Sequence, residues 1–156
     1  MLFRSQPSYN MLNRWVEDDG LLETLDELGV GSIAFTPLAQ GLLTHKYLDG
    51  VPEVSRANQG KSLDKQKITP ALISDLKELN DIAKKRGQTL AQMALAWVLR
   101  GGRVTTALIG ASSSKQVLDC AGAIENMYFT AEELREIDRL SGDIGINLWA
   151  KSSEIE

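Results

Sequence analysis

Apolar residues follow two alternating spacings in the first part of the chain. Leucines at positions 21, 22, 25 and 28 recur at helical spacing, which predicts a helix over residues 21–28 that Gly29 ends. Residues 30–35 form a short apolar run that predicts a buried strand. This strand is expected to stop at Pro37, because proline cannot donate a hydrogen bond to a neighbouring strand. Residues 6–9 are a shorter extended candidate, interrupted by Pro7.

The same alternation resumes after a loop-rich stretch at residues 40–68. Thr69 followed by Pro70 is typical of a helix start, and Gly87 ends the helical pattern that follows. The capping pair Thr89 and Gln92 predicts a second helix over residues 90–99. The apolar run at residues 104–109 then predicts another strand.

Two further helix starts follow that strand. Ser113 and Gln116 fit a capping box, which predicts a helix from residue 114 to about residue 124. Thr130 and Glu133 fit the same pattern and predict a last helix through residue 140. A polar tail follows the glycines at positions 142 and 145.

This order of elements predicts an α/β fold with about three parallel strands, since parallel neighbours need helical crossovers. A (βα)8 barrel typically needs roughly 250 residues, and this chain has 156. The sequence is therefore either a small open α/β domain or a piece of a larger barrel.

Composition narrows the classes of function. The chain has 17 basic and 21 acidic side chains, a net charge of −4, which argues against a nucleic-acid partner. No apolar run approaches the ~20 residues of a membrane span, so no membrane partner is expected. The single cysteine, Cys120, excludes an internal disulfide and favours a cytoplasmic location. One histidine and one cysteine argue against a closed zinc site, so we expect no metal.

Two strand-to-loop junctions carry the candidate chemistry, residues 35–41 and residues 109–114. The second combines glycine, three serine hydroxyls and a helix N-terminus, which together suit an anion. The alternative is that these serines only cap the helix, which is common. His45 and Cys120 are interpreted more simply as a solvated loop histidine and a small apolar side chain.

Four segments carry a resemblance to a known family. They are QPSYN at residues 6–10, GVGSIAFTPLAQGLLTHKY at residues 29–47, LIGAS at residues 108–112 and NLW at residues 147–149. Their order and spacing resemble the C-terminal half of an aldo-keto reductase, over residues 6–150. The likeness is strongest to the bacterial L-glyceraldehyde 3-phosphate reductases and the potassium-channel β subunits. Residues 1–5 lie outside the resemblance, and residues 151–156 form a polar tail.

The resemblance implies the C-terminal half of a (βα)8 barrel that binds NADPH. It implies that Gln6 hydrogen-bonds the nicotinamide carboxamide and that Tyr9 stacks on the nicotinamide ring. The pyrophosphate and ribose would be lined by Phe35, Thr36, Pro37, Leu38, Gln40 and Gly41. Phosphate would also be contacted from the long loop by Lys46 and Arg56.

The far end of the cofactor would lie at the third strand. The resemblance implies that the adenosine 2′-phosphate end is held by Gly110, Ser112 and Gln116. Asp119 would then contact the adenine. The anion site inferred from the serines agrees with this, as does the position of phosphate sites in barrels of this type.

The family's proton donor is a tyrosine supported by an aspartate, a lysine and a histidine, and none of them has a counterpart in this chain. We therefore assign no catalytic residue and expect the chain alone to be inactive. The unmatched start suggests a truncated reading frame with an artefactual beginning.

The intact protein would be an NADPH-dependent oxidoreductase that reduces a small aldehyde, with L-glyceraldehyde 3-phosphate the candidate. The resemblance also implies a homo-oligomer. The alternative is a half-barrel module that binds dinucleotide or a partner without turnover.

Overall fold

The computed structural model describes residues 4–52, 63 and 65–146. Arg56, the NLW segment and the polar tail lie outside the described residues, so the predictions made for them stay predictions.

Three parallel strands form one sheet. They are β1 (Arg4–Ser5), β2 (Gly31–Phe35) and β3 (Thr106–Leu108), in the order β1-β2-β3. Ser5 pairs with Ser32 on one side of the central strand, and Ile33, Ala34 and Phe35 pair with residues 106–108 on the other. The predicted α/β fold with three parallel strands is confirmed.

The first strand lies earlier in the chain than predicted. The predicted extended segment at residues 6–9 contributes a single bridge, between Ser8 and Phe35. The carbonyl of Pro7 accepts from the N–H of Phe35 at 3.0 Å, but proline has no N–H to continue the ladder. The strand therefore gives way to an irregular segment at Gln6.

Six α-helices accompany this sheet in the described part of the chain. They are α1 (Trp15–Asp18), α2 (Leu21–Glu27), α3 (Pro70–Lys85), α4 (Leu90–Leu99), α5 (Ser114–Ala121) and α6 (Ala131–Leu140). The predictions for α2, α3, α4 and α6 are confirmed within a residue or two. The short helix α1 has no counterpart among the predicted elements.

The capping signals explain why three helix starts were predictable. Thr69 accepts a hydrogen bond from the N–H of Leu72, and both capping boxes, at Thr89 and Thr130, are complete. The box predicted at Ser113 is only half formed: Ser113 accepts from the N–H of Gln116, whose own carboxamide bonds to Ser112 instead. This helix also ends at Ala121, three residues early, and continues as a 3-10 turn at Gly122–Glu125.

The core lies around α4, which contacts α3, α5 and β3. Eight of its ten residues are buried, and Trp97 is fully enclosed. The long loop also adds to the core, since Leu42, Leu43 and Tyr47 are buried around the 3-10 turns Ala39–Gly41 and His45–Tyr47.

Candidate functional site

The carboxyl ends of the three strands meet at one edge of the sheet, because the strands are parallel. The segments that leave them begin at Gln6, Thr36 and residue 109. Binding sites in α/β folds lie at this edge. The structure therefore brings together most of the positions that the sequence singled out, and we call residues 6–13, 36–41 and 109–116 the strand-end surface.

The segments after β1 and β2 are joined by buried polar side chains. The hydroxyl oxygens of Ser8 and Thr36 lie 2.9 Å apart, and Asn10 donates from Nδ2 to the Thr36 carbonyl at 2.9 Å. Asn13 donates to the Ser8 hydroxyl at 3.0 Å, and the indole of Trp15 donates to the Ser8 carbonyl at 2.9 Å. These contacts fix the first segment against the second.

The turn after β2 has a strained backbone. Thr36, Ala39 and Gln40 have φ values of +55°, +48° and +58°, a region that residues other than glycine rarely adopt. Gly41 continues the turn at φ +102°. Such strain of order 1–3 kcal/mol per residue persists where surrounding contacts enforce it, and it clusters at binding sites.

Gln40 in this turn also carries a buried oxygen without a partner. Its Oε1 is buried and accepts no hydrogen bond within the described ranges. A buried acceptor costs stability unless a donor reaches it. A hydroxyl or N–H group of a bound ligand would supply such a donor.

The remaining predicted contacts of this turn differ in exposure. Pro37 is buried, whereas Phe35 and Leu38 are half-buried. Gln6 and Lys46 are exposed, and Lys46 lies in a 3-10 turn capped by Thr44. The amide of Gln6, directly after β1, and the ammonium of Lys46, in the loop after β2, are therefore open to solvent.

In the segment after β3, the side chain of Gln116 hydrogen-bonds to Ser112. Gln116 Oε1 accepts from the N–H of Ser112 at 2.8 Å and from its hydroxyl at 3.1 Å. An anion at Ser112 would need these donors, so Gln116 would have to turn away from them. Gly110 and Ser112 are exposed, and the carbonyl of Asp119 accepts from Gln92 Nε2 at 2.9 Å.

Tyr9, which the resemblance predicts to stack on nicotinamide, is buried in this structure. Its side chain is 1% exposed and its ring centroid lies 5.4 Å from that of Trp97. It lines a groove together with Glu17, Val98 and Phe129, and none of the other predicted cofactor contacts lines that groove.

The hydroxyl of Tyr9 belongs to a charged cluster instead. It donates to Glu17 Oε1 at 2.5 Å and accepts from Arg100 at 2.8 Å. Burial alone would raise the pKa of Glu17, but hydrogen bonds from Tyr9, Arg14 and Arg100 outweigh it and hold that pKa below its usual value. Burial is the main cause that raises the pKa of the Tyr9 hydroxyl, and the neighbouring Glu17 raises it further.

Sequence reasoning missed Ser8, Asn10 and Asn13 as site residues. The pattern that could have identified them is a set of three polar residues directly after a strand, placed among Tyr9, Met11 and Leu12, which are buried. His45 is exposed and Cys120 half-buried, as the simpler interpretations expected. Burial first, and then Asp119, raise the pKa of the Cys120 thiol, which disfavours the reactive thiolate.

The described part of the chain has neither a membrane-spanning helix nor a cluster of metal ligands. No helix there has the length and apolar character to cross a membrane. No group of three or more histidine, cysteine or acidic side chains is arranged there to hold a metal ion.

Fold and site together define an α/β part-barrel with a strained turn and buried polar side chains at its strand ends. The chain belongs to the Aldo/keto reductase family, whose sequence model matches residues 3–141. The described structure corresponds to part of the (βα)8 barrel of that family.

The similar curated proteins are longer than this chain. An L-glyceraldehyde 3-phosphate reductase of Escherichia coli O157:H7 is 51% identical over 153 residues, which cover 96% of this chain and 44% of that protein. A putative voltage-gated potassium channel subunit beta of Schizosaccharomyces pombe is 36% identical over 140 residues, 86% of this chain and 41% of that protein. The chain thus spans less than half the length of these relatives.

Solved structures agree on the fold. A glycerol dehydrogenase from Gluconobacter oxydans superposes with a TM-score of 0.70 at 27% identity, over 88% of this chain and 41% of that one. The holo form of an aldo-keto reductase from Bacillus halodurans gives a TM-score of 0.61 at 26% identity, over 88% and 42%.

Proposed function

We propose that the strand-end surface binds NADPH and that the chain is the cofactor-binding part of an aldehyde reductase. The observation that carries the proposal is the turn at residues 36–41. It combines a strained backbone with the buried oxygen of Gln40, which has no partner among the described residues, at the sheet edge where this class of fold binds ligands.

The residues of the turn would hold the pyrophosphate and ribose. Gln40 would accept from a ribose hydroxyl, and the turn formed by Thr36, Pro37, Leu38 and Gly41 would lie along the phosphates beside Phe35. Gln6, exposed at the end of β1, would bond the nicotinamide carboxamide. The exposed ammonium of Lys46 would neutralise phosphate charge, with Arg56 expected to assist. Tyr9 has no part in this arrangement.

The third segment would hold the adenosine end. Rotation of Gln116 would free the N–H and hydroxyl of Ser112 for the 2′-phosphate, close to Gly110. Asp119 would contact the adenine. Because Gln116 is neutral, this end discriminates between NADPH and NADH chiefly through the hydrogen bonds of Ser112.

Bound NADPH would supply a hydride to the substrate carbonyl. The substrate we propose is a small aldehyde, with L-glyceraldehyde 3-phosphate favoured because two curated relatives at 51% and 50% identity are named for its reduction. The resemblance implies that the chain corresponds to the C-terminal half of the family's barrel and that the family's tyrosine, aspartate, lysine and histidine have no counterpart in it. We therefore propose that this chain alone does not reduce aldehydes.

A non-catalytic module is the second candidate. The relative named as a putative voltage-gated potassium channel subunit beta favours it, because that name describes a subunit of a channel. Such a module would bind dinucleotide or a protein partner without turnover.

Titration of the purified chain with NADPH, followed by the fluorescence of the nicotinamide, tests the proposal. We expect saturable binding by the natural chain. Gln40→Ala should weaken NADPH binding, and Ser112→Ala should weaken the binding of NADPH more than that of NADH. The matched control is Ser74→Ala, an exposed serine on α3. A folded chain that does not bind NADPH would overturn the proposal, and NADPH oxidation upon addition of glyceraldehyde would overturn the claim of inactivity.

A further inference from the structure

The carbonyl oxygen of Thr36 lies at the centre of the strained turn and accepts two hydrogen bonds. One comes from the N–H of Ala39 at 2.9 Å, inside the turn. The other comes from Nδ2 of Asn10 at 2.9 Å, from the segment after the neighbouring strand. The turn is therefore closed locally and held from outside at the same atom.

The side chain of Asn10 is held in a fixed position by its own segment. Its side chain is 1% exposed, and its Oδ1 accepts from the N–H of Leu12 at 2.9 Å. A backbone bridge between Asn10 and Asn13, with N···O distances of 3.2 and 3.1 Å, fixes the same segment. The carboxamide of Asn10 thus has one fixed end on its own turn and donates from the other to Thr36.

Thr36 is also held through its hydroxyl. Ser8 lies 2.9 Å from it, and Ser8 is in turn fixed by Asn13 and by the indole of Trp15. Thr36 has φ +55°, a conformation that is unfavourable for a side chain branched at Cβ. Contacts from the first segment therefore oppose the tendency of Thr36 to relax.

We propose that Asn10 is a positioning residue for the cofactor turn: its carboxamide holds Thr36 in the left-handed conformation that shapes residues 36–41 for the dinucleotide. Asn10 acts through Thr36 and does not itself contact the cofactor. This inference rests on the proposed function for the part that concerns NADPH.

Three variants separate this role from a merely structural one. Asn10→Ala removes both hydrogen bonds of the carboxamide. Asn10→Asp has the same shape and still accepts from Leu12, but it places an oxygen against the Thr36 carbonyl. Each is expected to raise the dissociation constant of NADPH about tenfold, which corresponds to one lost hydrogen bond. If Asn10 served only its own turn, Asn10→Asp would bind NADPH like the natural chain.

Thr36→Gly supplies the decisive comparison. Glycine adopts positive φ without strain, so the turn no longer needs to be held. In the Thr36→Gly background, Asn10→Asp is expected to change the NADPH dissociation constant less than about twofold. An undiminished tenfold effect in that background would overturn the proposal.

Amide hydrogen exchange gives a readout that does not depend on NADPH. Exchange of the Ala39 amide, which bonds to Thr36, is expected to accelerate in Asn10→Asp while amides of α4 keep their protection. The matched control is Asn126→Ala, because Asn126 also donates to a backbone carbonyl, that of Arg86 at 3.1 Å, far along the chain from this turn. Unchanged exchange at Ala39 in Asn10→Asp would contradict the positioning role. Absence of NADPH binding by the natural chain, with Ala39 exchange still accelerated in Asn10→Asp, would instead contradict the proposed function alone.

Discussion

The guanidinium of Arg86 forms a 2.9 Å ion pair with Glu133 although the Arg86 side chain is only 3% exposed. The same guanidinium donates to the carbonyls of Asn126 and Tyr128 at 3.1 and 2.9 Å and lies 3.8 Å from the ring centroid of Phe129. Arg86 is the C-cap of α3, and Glu133 lies in the first turn of α6. One side chain therefore joins two helices and the segment between α5 and α6.

Removal of Arg86 should destabilise the fold strongly. Arg86→Ala removes the donor to the Tyr128 carbonyl, one of two donors to the Asn126 carbonyl and the ion pair with Glu133, which we expect to cost about 3 kcal/mol of unfolding free energy. Arg86→Lys keeps the positive charge, so it should lower the unfolding free energy less than Arg86→Ala does. It should still lower it, because a lysine ammonium cannot reach all the partners of the guanidinium. Urea unfolding followed by circular dichroism measures both. Lys84→Ala is the control, since its pair with Asp81 is exposed and should contribute below about 1 kcal/mol. An Arg86→Ala effect as small as the control's would contradict this account.

Glu17 makes stability depend on acid pH. Burial opposes ionisation of Glu17, but donors from Tyr9, Arg14 and Arg100 leave its pKa below the ordinary value of 4.5. Its stabilising contribution is therefore complete above that ordinary value and is lost as the pH falls through the lower folded pKa. The free energy of unfolding, measured by urea titration from pH 6 to about pH 3, should fall less steeply in Glu17→Gln than in the natural chain. Equal slopes would show that Glu17 is not held ionised by this cluster.

The two halves of the Tyr9 side chain can be tested separately. Tyr9→Phe removes the hydroxyl between Glu17 and Arg100 and should cost about 1–2 kcal/mol of unfolding free energy. Tyr9→Leu also removes the ring that packs on Trp97 and should cost more. Neither should change the NADPH dissociation constant of the folded fraction. A loss of NADPH affinity in Tyr9→Leu but not in Tyr9→Phe would restore the stacking role implied by the family resemblance.

Local signals in the sequence account for most of the fold. The capping pairs at Thr89 and Thr130 involve residues three positions apart, so their hydrogen bonds could be anticipated from the sequence. The family resemblance predicts that the strand-end segments form one site, and the parallel sheet places the ends of the three strands at one edge. The conformation of Thr36 could not be predicted from the sequence, because it depends on Asn10 and Ser8, which lie 26 and 28 positions away.

The directions in which side chains point at the strand ends also depend on residues that are distant in the sequence. Tyr9 follows Ser8 directly, yet only Ser8 bonds to Thr36, while Tyr9 reaches Arg100, 91 positions further on. Gln116 fits the spacing of a capping box, but the N–H and hydroxyl of Ser112 compete for its carboxamide. Where two partners compete for one group, residue spacing alone does not decide between them.

Gly122 marks the place where α5 rests on α4. A Cβ built there would lie 2.5 Å from Nε2 of Gln92, the atom that donates to the Asp119 carbonyl. Gly122→Ala should displace that carboxamide and cost about 1–2 kcal/mol of unfolding free energy. Gly142→Ala is the matched control, because nothing lies within 4 Å of its added Cβ. Equal unfolding midpoints for the two variants would contradict the contact.

The last prediction concerns the apolar side chains that the described fold leaves open. Strand β3 is an edge strand, and Leu108 on it is 53% exposed, while Leu118 on α5 and Ile124 just after it are 73% and 68% exposed. Open strand edges and exposed apolar side chains favour association. We expect the chain on its own to associate with increasing concentration in light scattering, and Leu118→Lys to reduce that association without lowering the unfolding free energy by more than about 0.5 kcal/mol. Leu28→Lys is the matched control, since Leu28 is 70% exposed on a different element, at the end of α2. A monodisperse monomer at all concentrations, or equal relief by both variants, would show that this face does not drive association.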